Sequence, residues 1–184
     1  MRIVAGRLRG RALKAPEGHA IRPSSDRLRE SLFDILVHAH GAPEPGARVL
    51  DLFAGTGALG LEALSRGAGI CVFVDQGAAA RALIRENVEA LGLGGATRLF
   101  RRDATRLGAW AGPPFGLVFL DPPYRQDLAP PALASAAAGG WLAPGALVVV
   151  EEAADAPFAA PGGFAMLDER RIGDSRLIFL RYGA

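Results

Sequence analysis

Two hydrophobic patterns alternate along this chain. Short apolar runs rich in Val, Leu, Ile and Phe are separated by longer stretches in which apolar residues recur every three or four positions. The first pattern is typical of buried strands and the second of helices that bury one face. The runs predict strands over 48–53, 70–75, 97–101, 115–121 and 146–151, and the periodic stretches predict helices over 58–66, 78–91 and 128–138. Because such alternation builds βα units with right-handed crossovers, the sequence predicts an α/β fold with a doubly wound, mostly parallel sheet.

The C-terminal part of the chain breaks this alternation. The helical pattern fades over 153–163, which is rich in Ala, Pro and Gly. Further strands are predicted over 165–171 and 176–182, joined by a Gly-Asp-Ser turn at 173–175. Because a hairpin adds antiparallel strands, these two bring the predicted sheet to seven strands.

A helix is predicted ahead of the first strand, from about 25 to 39. Pro23 precedes it, and Ser24 or Ser25 can cap its first turn. Its apolar residues recur on one face, and its charged residues are predicted to point elsewhere. The apolar set is Leu28, Leu32, Ile35, Leu36 and Ala39, and the charged set is Arg27, Arg29 and Glu30. The histidines at its end, His38 and His40, are expected to face solvent.

Residues 1–22 differ from the rest of the chain. Residues 3–5 and 11–14 predict a short hairpin, with glycines and basic residues between them. Because this arm is highly charged, we expect little capacity to form a core. The sequence therefore predicts a short basic N-terminal β extension, residues 1–22, on a single globular domain formed by residues 23–184.

Composition narrows the class of protein. Half of the 184 residues are hydrophobic and 22% are charged, as in a globular protein that can bury a core. The apolar runs are too short to span a membrane, and the first residues lack a secretory pattern. The single cysteine, Cys71, excludes an internal disulfide and a multi-cysteine zinc site, and its apolar surroundings predict a buried thiol. We therefore expect a cytoplasmic protein, without a metal and most simply a monomer.

Charge is distributed unevenly. Residues 1–30 contain eight basic and three acidic residues, a formal charge of +5, whereas the remainder has thirteen basic and sixteen acidic residues, or −3. Positive charge concentrated at one end is typical of nucleic-acid-binding proteins. A solvated arm without a partner gives the same pattern. Nearly all the basic residues are arginine, which suits phosphate contacts.

The first candidate motif is the glycine-rich turn after the first predicted strand. The strand contains Asp51 and leads into Gly55-Thr56-Gly57 before the next helix. These glycines permit positive φ and leave room for backbone N–H groups to approach a ligand. With Gly60, the spacing also satisfies the Gly-x-Gly-x-x-Gly pattern of NAD-binding proteins, so that alternative stays open.

The second candidate motif is Asp121-Pro122-Pro123-Tyr124, which follows an apolar strand. Neither proline can donate to a sheet, so the strand must end here. The motif is thereby predicted at the carboxyl edge of the sheet, where open α/β folds bind ligands. A proline turn with a surface tyrosine is the alternative interpretation.

Together these motifs resemble the S-adenosylmethionine-dependent amino-methyltransferases, whose signature is Asp/Asn-Pro-Pro-Tyr/Phe. Residues 22–33, RPSSDRLRESLF, are similar to the Arg-Pro-Thr-x-Asp-Arg-x-Arg-Glu-x-Leu-Phe run of the RsmD family, and the resemblance extends from Arg2 to Tyr182. That family methylates the exocyclic N2 of one guanine in bacterial 16S ribosomal RNA. The resemblance implies a seven-stranded Rossmann-like class I methyltransferase fold and S-adenosylmethionine as cofactor. It also implies 16S rRNA, in the small ribosomal subunit or an assembly intermediate, as partner.

The resemblance also assigns cofactor-binding residues. An acid at Asp51 suits the cationic ammonium group of the cofactor but would repel a pyrophosphate, and Asp75 can accept ribose hydroxyls. Asp103 is similar to the acid that accepts the adenine amino group, with a helix N-cap as the alternative role. The implied set is Asp51, Phe53, Ala54, Gly55, Gly57, Asp75, Asp103, Ala104 and Asp121. The family often has an acid two positions after Asp75; here Gly77 replaces it, which weakens the expected support for Asp75.

Catalysis and RNA binding are implied at separate residues. Asp121 and the Pro122 carbonyl would accept the N–H groups of the exocyclic amine, and Tyr124 would stack on the base. Basic residues would contact the RNA backbone: Arg7, Arg9, Arg11, Arg22, Arg27 and Arg125. For Asp26, Arg27 and Glu30, capping and surface charge are equally good interpretations.

Three alternatives remain open from the sequence. Asp-Pro-Pro-Tyr by itself also fits a DNA or other RNA amino-methyltransferase acting on adenine N6 or cytosine N4. A non-catalytic RNA-binding module with the same fold would bind without turnover. An NAD-dependent oxidoreductase would bind NAD in competition with S-adenosylhomocysteine.

Overall fold

A computed structural model describes residues 1–16 and 26–183. The predicted alternation of strands and helices is present, and most element ends agree with the prediction to within one residue. The helices are α1 (Asp26–His40), α2 (Ala58–Ser65), α3 (Ala78–Leu91) and α4 (Ala129–Ala138), with short 3-10 helices at Gly94–Ala96 and Ala104–Arg106. The strands are β1 (Arg48–Leu52), β2 (Ile70–Val74), β3 (Thr97–Phe100), β4 (Phe115–Leu120), β5 (Leu142–Ala153), β6 (Phe164–Ile172) and β7 (Ser175–Tyr182). Only β5 is much longer than expected.

The strands form one seven-stranded sheet in the order β3-β2-β1-β4-β5-β7-β6. Strands β1 to β5 run parallel to one another, whereas β7 is antiparallel to both β5 and β6. This confirms the predicted doubly wound sheet closed by a hairpin. The strand order reverses between β1 and β4, the position at which open α/β sheets bind ligands.

The core lies on both faces of the sheet. On β1, Val49 packs into one hydrophobic cluster while Leu50 and Leu52 pack into the other. The same alternation along the neighbouring strands follows from the two-residue period of strand side chains. Helices α1 to α3 cover the first face, and α4 with Trp141 covers the second. Cys71 is buried in the first cluster, as predicted.

Helix α1 differs from its predicted pattern at three residues. Arg29 was expected to point away from the core, and this is wrong: it is fully buried, and its guanidinium donates to the Asp26 carboxylate at 2.7 Å. The expectation that His40 faces solvent is also wrong, because its ring stacks on Phe179 with centroids 5.2 Å apart. Burial lowers the pKa of His40. Ala39, predicted on the apolar face, is exposed.

The predicted N-terminal hairpin is reduced to a single bridge between Arg2 and Ala12. The expectation that this segment has little core-forming capacity is wrong, because Ile3 and Leu13 are buried in the first cluster. We call residues 1–16 the N-terminal segment. Backbone hydrogen bonds between residues 1–3 and 10–13 accompany this bridge, while other backbone groups of the segment bond to buried side chains of α2 and α3.

Helix α2 supplies the main anchor of the N-terminal segment. The buried Glu62 carboxylate accepts the N–H groups of Val4 and Ala5 at 2.8 and 2.9 Å. Ser65, one helical turn on, donates to the carbonyl of Ala5 at 2.6 Å and accepts the N–H of Leu8 at 3.0 Å. These contacts give the buried carboxylate the partners that it needs away from water.

Candidate active site

A cavity of about 1010 Å³ opens at the carboxyl edge of the parallel strands. Side chains that follow different parallel strands meet at this edge. The described lining comes from the start of α1, the loops after β1, β2, β3 and β4, the end of β5 and the β6–β7 turn. The predicted site residues in the lining are Arg27, Asp51, Phe53, Ala54, Gly55, Asp75, Ala104, Asp121, Pro122 and Tyr124. The cavity thus joins the two candidate motifs.

The loop after β1 is shaped around Asp75. Phe53 and Gly55 both have a φ of 56°, which turns the chain sharply at the end of the strand. The Gly55 N–H donates to one Asp75 oxygen at 2.9 Å, and the Gly77 N–H donates to the other at 2.7 Å. The backbone of Gly77 therefore supports Asp75, although Gly77 replaces the acidic residue that the family often has at this position. Each oxygen keeps a second lone pair for ligand hydroxyls.

Gly57 and Gly60 both lie at positions where a side chain would disturb the packing of α2. Gly57 has a φ of 77° and is absent from the described cavity lining. A Cβ at Gly57 would lie 3.3 Å from Phe73, and one at Gly60 only 2.4 Å from the Cys71 sulfur. Both glycines let α2 approach β2 closely. Cofactor contact by Gly57 stays a prediction.

Asp51 is a buried carboxylate at the cavity, with 1% of its surface exposed. The Gly60 N–H donates to it at 3.0 Å. Burial raises the pKa of Asp51 to about 8, and the nearby charge of Asp75 acts in the same direction. A bound cation would favour the ionised form of this carboxyl group, so Asp51 is suited to hold a positively charged ligand group.

The burial of Asp51 predicts a stability cost that grows with pH. The folded protein keeps a proton on Asp51 up to about pH 8, whereas the unfolded chain loses it near pH ~4. The contribution of Asp51 to the free energy of unfolding therefore falls as pH rises through that window. We expect Asp51→Asn to melt higher than the wild type without ligand, with the gap widening by roughly 10 °C between pH 5 and pH 8.

Thermal melting at several pH values checks this expectation. Asp155→Asn is the matched control, since Arg125 lowers the pKa of that exposed carboxyl group, and it should not gain stability with rising pH. A melting gap for Asp51→Asn that stays constant from pH 5 to pH 8 would contradict the effect.

Asp103 lies beside the cavity but not in its described lining. Its carboxylate accepts the N–H and the hydroxyl of Thr105, each at 2.8 Å, and so caps the 3-10 helix Ala104–Arg106. These hydrogen bonds lower the pKa of Asp103. The structure thus shows the capping role, while the adenine contact stays a prediction.

The Asp-Pro-Pro-Tyr motif follows β4 directly. The Asp121 N–H donates to the carbonyl of Leu52 at 3.4 Å, which ties the end of β4 to the end of β1. Asp121, Pro122 and Tyr124 all line the cavity. Together these residues place a carboxylate, a carbonyl and an aromatic ring in one cavity, a suitable set for holding a planar amine.

The partners of Tyr124 were not predicted from the sequence. Its hydroxyl donates to the Glu151 carboxylate and lies 2.8 Å from the Ser175 hydroxyl. Burial and the charge of Glu151 raise the pKa of Tyr124, so the hydroxyl remains a donor. Glu151 has a recognisable position in the sequence, as an acid at the end of an apolar strand; Ser175 is marked only by its place in a turn.

The predicted RNA-binding arginines are dispersed. Arg27 lines the cavity, whereas Arg7 and Arg9 are exposed on the N-terminal segment. Arg11 is exposed, and its guanidinium donates to the Ala90 carbonyl at 2.6 Å. Arg125 pairs with Asp155 at 2.8 Å. Arg22 lies outside the described residues, as do Pro23, Ser24 and Ser25.

Residues 1–16 and 26–183 lack two kinds of feature. This part of the chain contains no group of three or more His, Cys, Asp or Glu side chains arranged to hold a metal ion. None of its helices is long and apolar enough to cross a membrane.

Fold and site together define a Rossmann-like methyltransferase. The solved structure of yhhF from Escherichia coli superposes with a TM-score of 0.83 at 32% identity, covering 100% of this chain and 98% of that one. TrmN from Thermus thermophilus gives 0.67 at 29% identity, over 84% of this chain and 48% of that one. The [4+2]-cyclase SpnF shares the fold alone, with a TM-score of 0.65 at 14% identity, 89% of this chain and 84% of that one. A fold can therefore carry other chemistry, and the site decides.

Sequence comparison narrows this class to one family. The family model described as Conserved hypothetical protein 95 matches residues 1–181. Ribosomal RNA small subunit methyltransferase D of Escherichia coli (strain K12) is 40% identical over 152 residues, 82% of this chain and 74% of the relative. The protein of the same name in Haemophilus influenzae is 34% identical over 177 residues, which are 94% of this chain and 89% of the relative. The chain belongs to this family, the RsmD family, which confirms the resemblance seen in the sequence and contradicts the oxidoreductase alternative.

Proposed function

We propose that this protein transfers a methyl group from S-adenosylmethionine to the exocyclic N2 amine of a guanine in bacterial 16S rRNA. The main support is the cavity that combines Asp51 and Asp75 with the Asp121–Tyr124 motif. It occurs in a chain whose relatives are named ribosomal RNA small subunit methyltransferase D. The substrate is the small ribosomal subunit or an assembly intermediate, and the enzyme acts as a cytoplasmic monomer without a metal.

The cavity residues fit S-adenosylmethionine. Asp51 would hold the ammonium group, because a buried carboxylate attracts a cation strongly. Asp75 would accept the ribose hydroxyls, and Phe53 and Ala104 contribute apolar lining. The cavity volume of about 1010 Å³ lies at the upper end of the range of roughly 300–1,000 Å³ for ligand sites, which leaves room for a base. When bound, the cofactor supplies a methyl group on a positively charged sulfur.

Asp121 and Pro122 prepare the amine for transfer. The lone pair of an exocyclic amine is delocalised into the base, which makes the nitrogen a poor nucleophile. Acceptors on its two N–H groups draw the nitrogen toward a tetrahedral geometry and stabilise the positive charge that develops. The Asp121 carboxylate and the Pro122 carbonyl provide these acceptors, and Asp121 then takes the proton that the amine loses.

Tyr124 holds the target base after the base has been turned out of the stacked RNA. A base must be turned out of its stack to reach the cavity, at a cost of a few kcal/mol. Stacking of the base on the aromatic ring offsets about 1–3 kcal/mol of this cost. Alignment of the amine with the methyl group supplies much of the remaining rate.

The N-terminal segment is proposed to contact RNA phosphates. Arg7, Arg9 and Arg11 are exposed there. Replacing all three with Gln is expected to weaken RNA binding and to reduce the slope of log affinity against log salt by about 0.7–0.9 for each phosphate that is no longer neutralised. Binding titrations over a series of salt concentrations measure both quantities.

As a control, two arginines are replaced on another surface of the protein. Arg170 and Arg171 are exposed on β6, and their change to Gln should leave the salt slope nearly unchanged. An unaltered slope in the N-terminal variant, with its fold intact by thermal melting, would show that the segment does not contact the phosphates.

The function itself is tested by methyl transfer. Labelled S-adenosylmethionine is incubated with unmethylated small ribosomal subunits, with naked 16S rRNA and with duplex DNA, and the nucleosides are analysed by mass spectrometry. N2-methylguanosine in the RNA is the expected product. Methylated adenine or cytosine would overturn the proposed substrate, and cofactor binding without any product would favour a non-catalytic module.

A further inference from the structure

Two consecutive acids, Glu151 and Glu152, lie near the end of β5. Both are buried, with 5% and 4% of their surfaces exposed. Because strand side chains alternate, Glu151 continues the face of Val149 and Glu152 the face of Val150, and these two valines belong to different hydrophobic clusters. A pair of buried carboxylates at a sheet edge lowers stability unless both are well partnered.

Glu151 finds its partners in the cavity. It accepts the hydroxyl of Tyr124, and the Ser175 hydroxyl donates to the same oxygen at 3.2 Å. Ser175 also lies 2.8 Å from the Tyr124 oxygen, so the three groups form a closed triangle. Ser175 is the first residue of β7 and is itself buried. The tyrosine ring is therefore fixed at its far end by two strands of the sheet.

Glu152 finds its partner in the backbone just beyond the tyrosine. One of its oxygens accepts the Arg125 N–H at 3.1 Å and the Ala153 N–H at 2.7 Å. Arg125 has a φ of 60°, which is unfavourable for a residue with a side chain. Its guanidinium pairs with Asp155 at 2.8 and 3.0 Å. The loop after β4 is thus fixed at a side chain and at the adjacent backbone.

We propose that Glu151 and Ser175 are positioning residues for methyl transfer, which hold the Tyr124 ring in one orientation in the cavity while Glu152 fixes the loop behind it. This inference rests on the proposed function. It gives the tyrosine hydroxyl a task that a phenylalanine could not perform, because a charged acceptor makes a strong and directional hydrogen bond. The raised pKa of Tyr124 keeps its proton in place for this bond.

Kinetics of four variants test the inference. Tyr124→Phe keeps the ring and removes only the hydroxyl, and Glu151→Ala removes the acceptor. Both are expected to lower kcat by about tenfold to a hundredfold while changing KM for RNA and Kd for S-adenosylmethionine by less than about threefold. Glu151→Gln keeps an acceptor oxygen and should recover most of kcat. The double variant Tyr124→Phe/Glu151→Ala should be no slower than its slower parent, because both changes break one interaction.

Hydrogen exchange of the loop provides a readout that does not need turnover. The amides of Tyr124 and Arg125 should exchange faster in Tyr124→Phe and Glu151→Ala than in the wild type. Tyr182→Phe removes the hydroxyl of the other tyrosine, on β7, and should alter neither kcat nor the exchange of the loop. Thermal melting verifies that every variant is folded.

The outcomes separate the two proposals. Absence of methyl transfer by the wild type would contradict the proposed function, while the exchange rates would still test whether the Tyr124 hydroxyl and its acceptor Glu151 fix the loop. An active wild type with an unchanged kcat in Tyr124→Phe would overturn the positioning role. The positioning role would also be overturned if the losses of kcat multiplied in the double variant, or if the loop amides exchanged at the wild-type rate in the single variants.

Discussion

Asp121→Ala is expected to lower the rate of methyl transfer by at least about a hundredfold while S-adenosylmethionine still binds. The variant removes the carboxylate that we propose accepts an N–H of the amine and takes up its proton. The Pro122 carbonyl stays in place, but one acceptor cannot hold both N–H groups. In the proposed mechanism the cofactor relies mainly on Asp51 and Asp75, which line the cavity from other strands and loops. Single-turnover transfer and calorimetric titration with the cofactor measure the two effects separately.

Asp121→Asn is the informative control. The family signature admits Asn at this position, and its amide oxygen can still accept a hydrogen bond. We expect it to retain more activity than Asp121→Ala but less than the wild type, because it cannot take up the proton. Unchanged turnover in Asp121→Ala would reject the mechanism.

Glu62→Ala is expected to destabilise the protein by about 3–5 kcal/mol, because it breaks a buried ionic network. Glu62 is fully buried and accepts the Val4 and Ala5 amides together with the Arg66 guanidinium at 2.8 Å. The fully buried Arg29 lies 3.9 Å from the same carboxylate. Without Glu62, backbone donors and buried positive charge both lose a partner. Urea unfolding measures the change in the free energy of unfolding.

Two further variants serve as controls for this prediction. Glu62→Gln keeps the size and one acceptor oxygen and should fall between the wild type and Glu62→Ala. Glu86→Ala removes an exposed acid that pairs with Lys14 at 2.8 Å, also between a helix and the N-terminal segment. Exposed ion pairs contribute little, so its unfolding curve should match the wild type. Equal stability of Glu62→Ala and Glu86→Ala would show that the network is not a major anchor.

The sheet was predictable because local patterns determine it. Buried parallel strands are continuous apolar runs, and turn residues mark their ends. Helix α3 was predicted with both ends correct, since its periodic pattern is bounded by Gly77 and Gly92. Strand β5 begins four residues earlier than its predicted start at Ala146, at Leu142, because the Pro and Gly between them looked like a turn.

The candidate site was predictable where one motif follows one strand. Asp51, Asp75 and Asp121 each lie at or near the end of an apolar run, and parallel strands bring such residues to one edge. The partners of these motifs were not predictable. Glu151 lies 27 positions from Tyr124 and Ser175 lies 51 positions away, and no local pattern relates residues so far apart.

The same reason explains the errors at the N-terminal segment. Its basic residues indicated an arm with little capacity to form a core, but Glu62 accepts backbone groups 57 and 58 positions away. A carboxylate within the apolar helix α2 signalled that a polar partner was required, without indicating which one. Arg29 was misplaced for a related reason, since the charge of a residue does not reveal a partner elsewhere in the fold.

The placement of β7 has a consequence for biosynthesis. This strand lies between β5 and β6, although it follows both in the sequence. During translation, Tyr124 and Glu151 leave the ribosome before Ser175, and the gap beside β5 is filled only when β7 inserts. A nascent chain that has already formed the loops after β1, β2 and β4 still lacks the wall that Ser175 and the β6–β7 turn contribute to the cavity. The cavity is therefore complete only once β7 has been synthesised and inserted into the sheet.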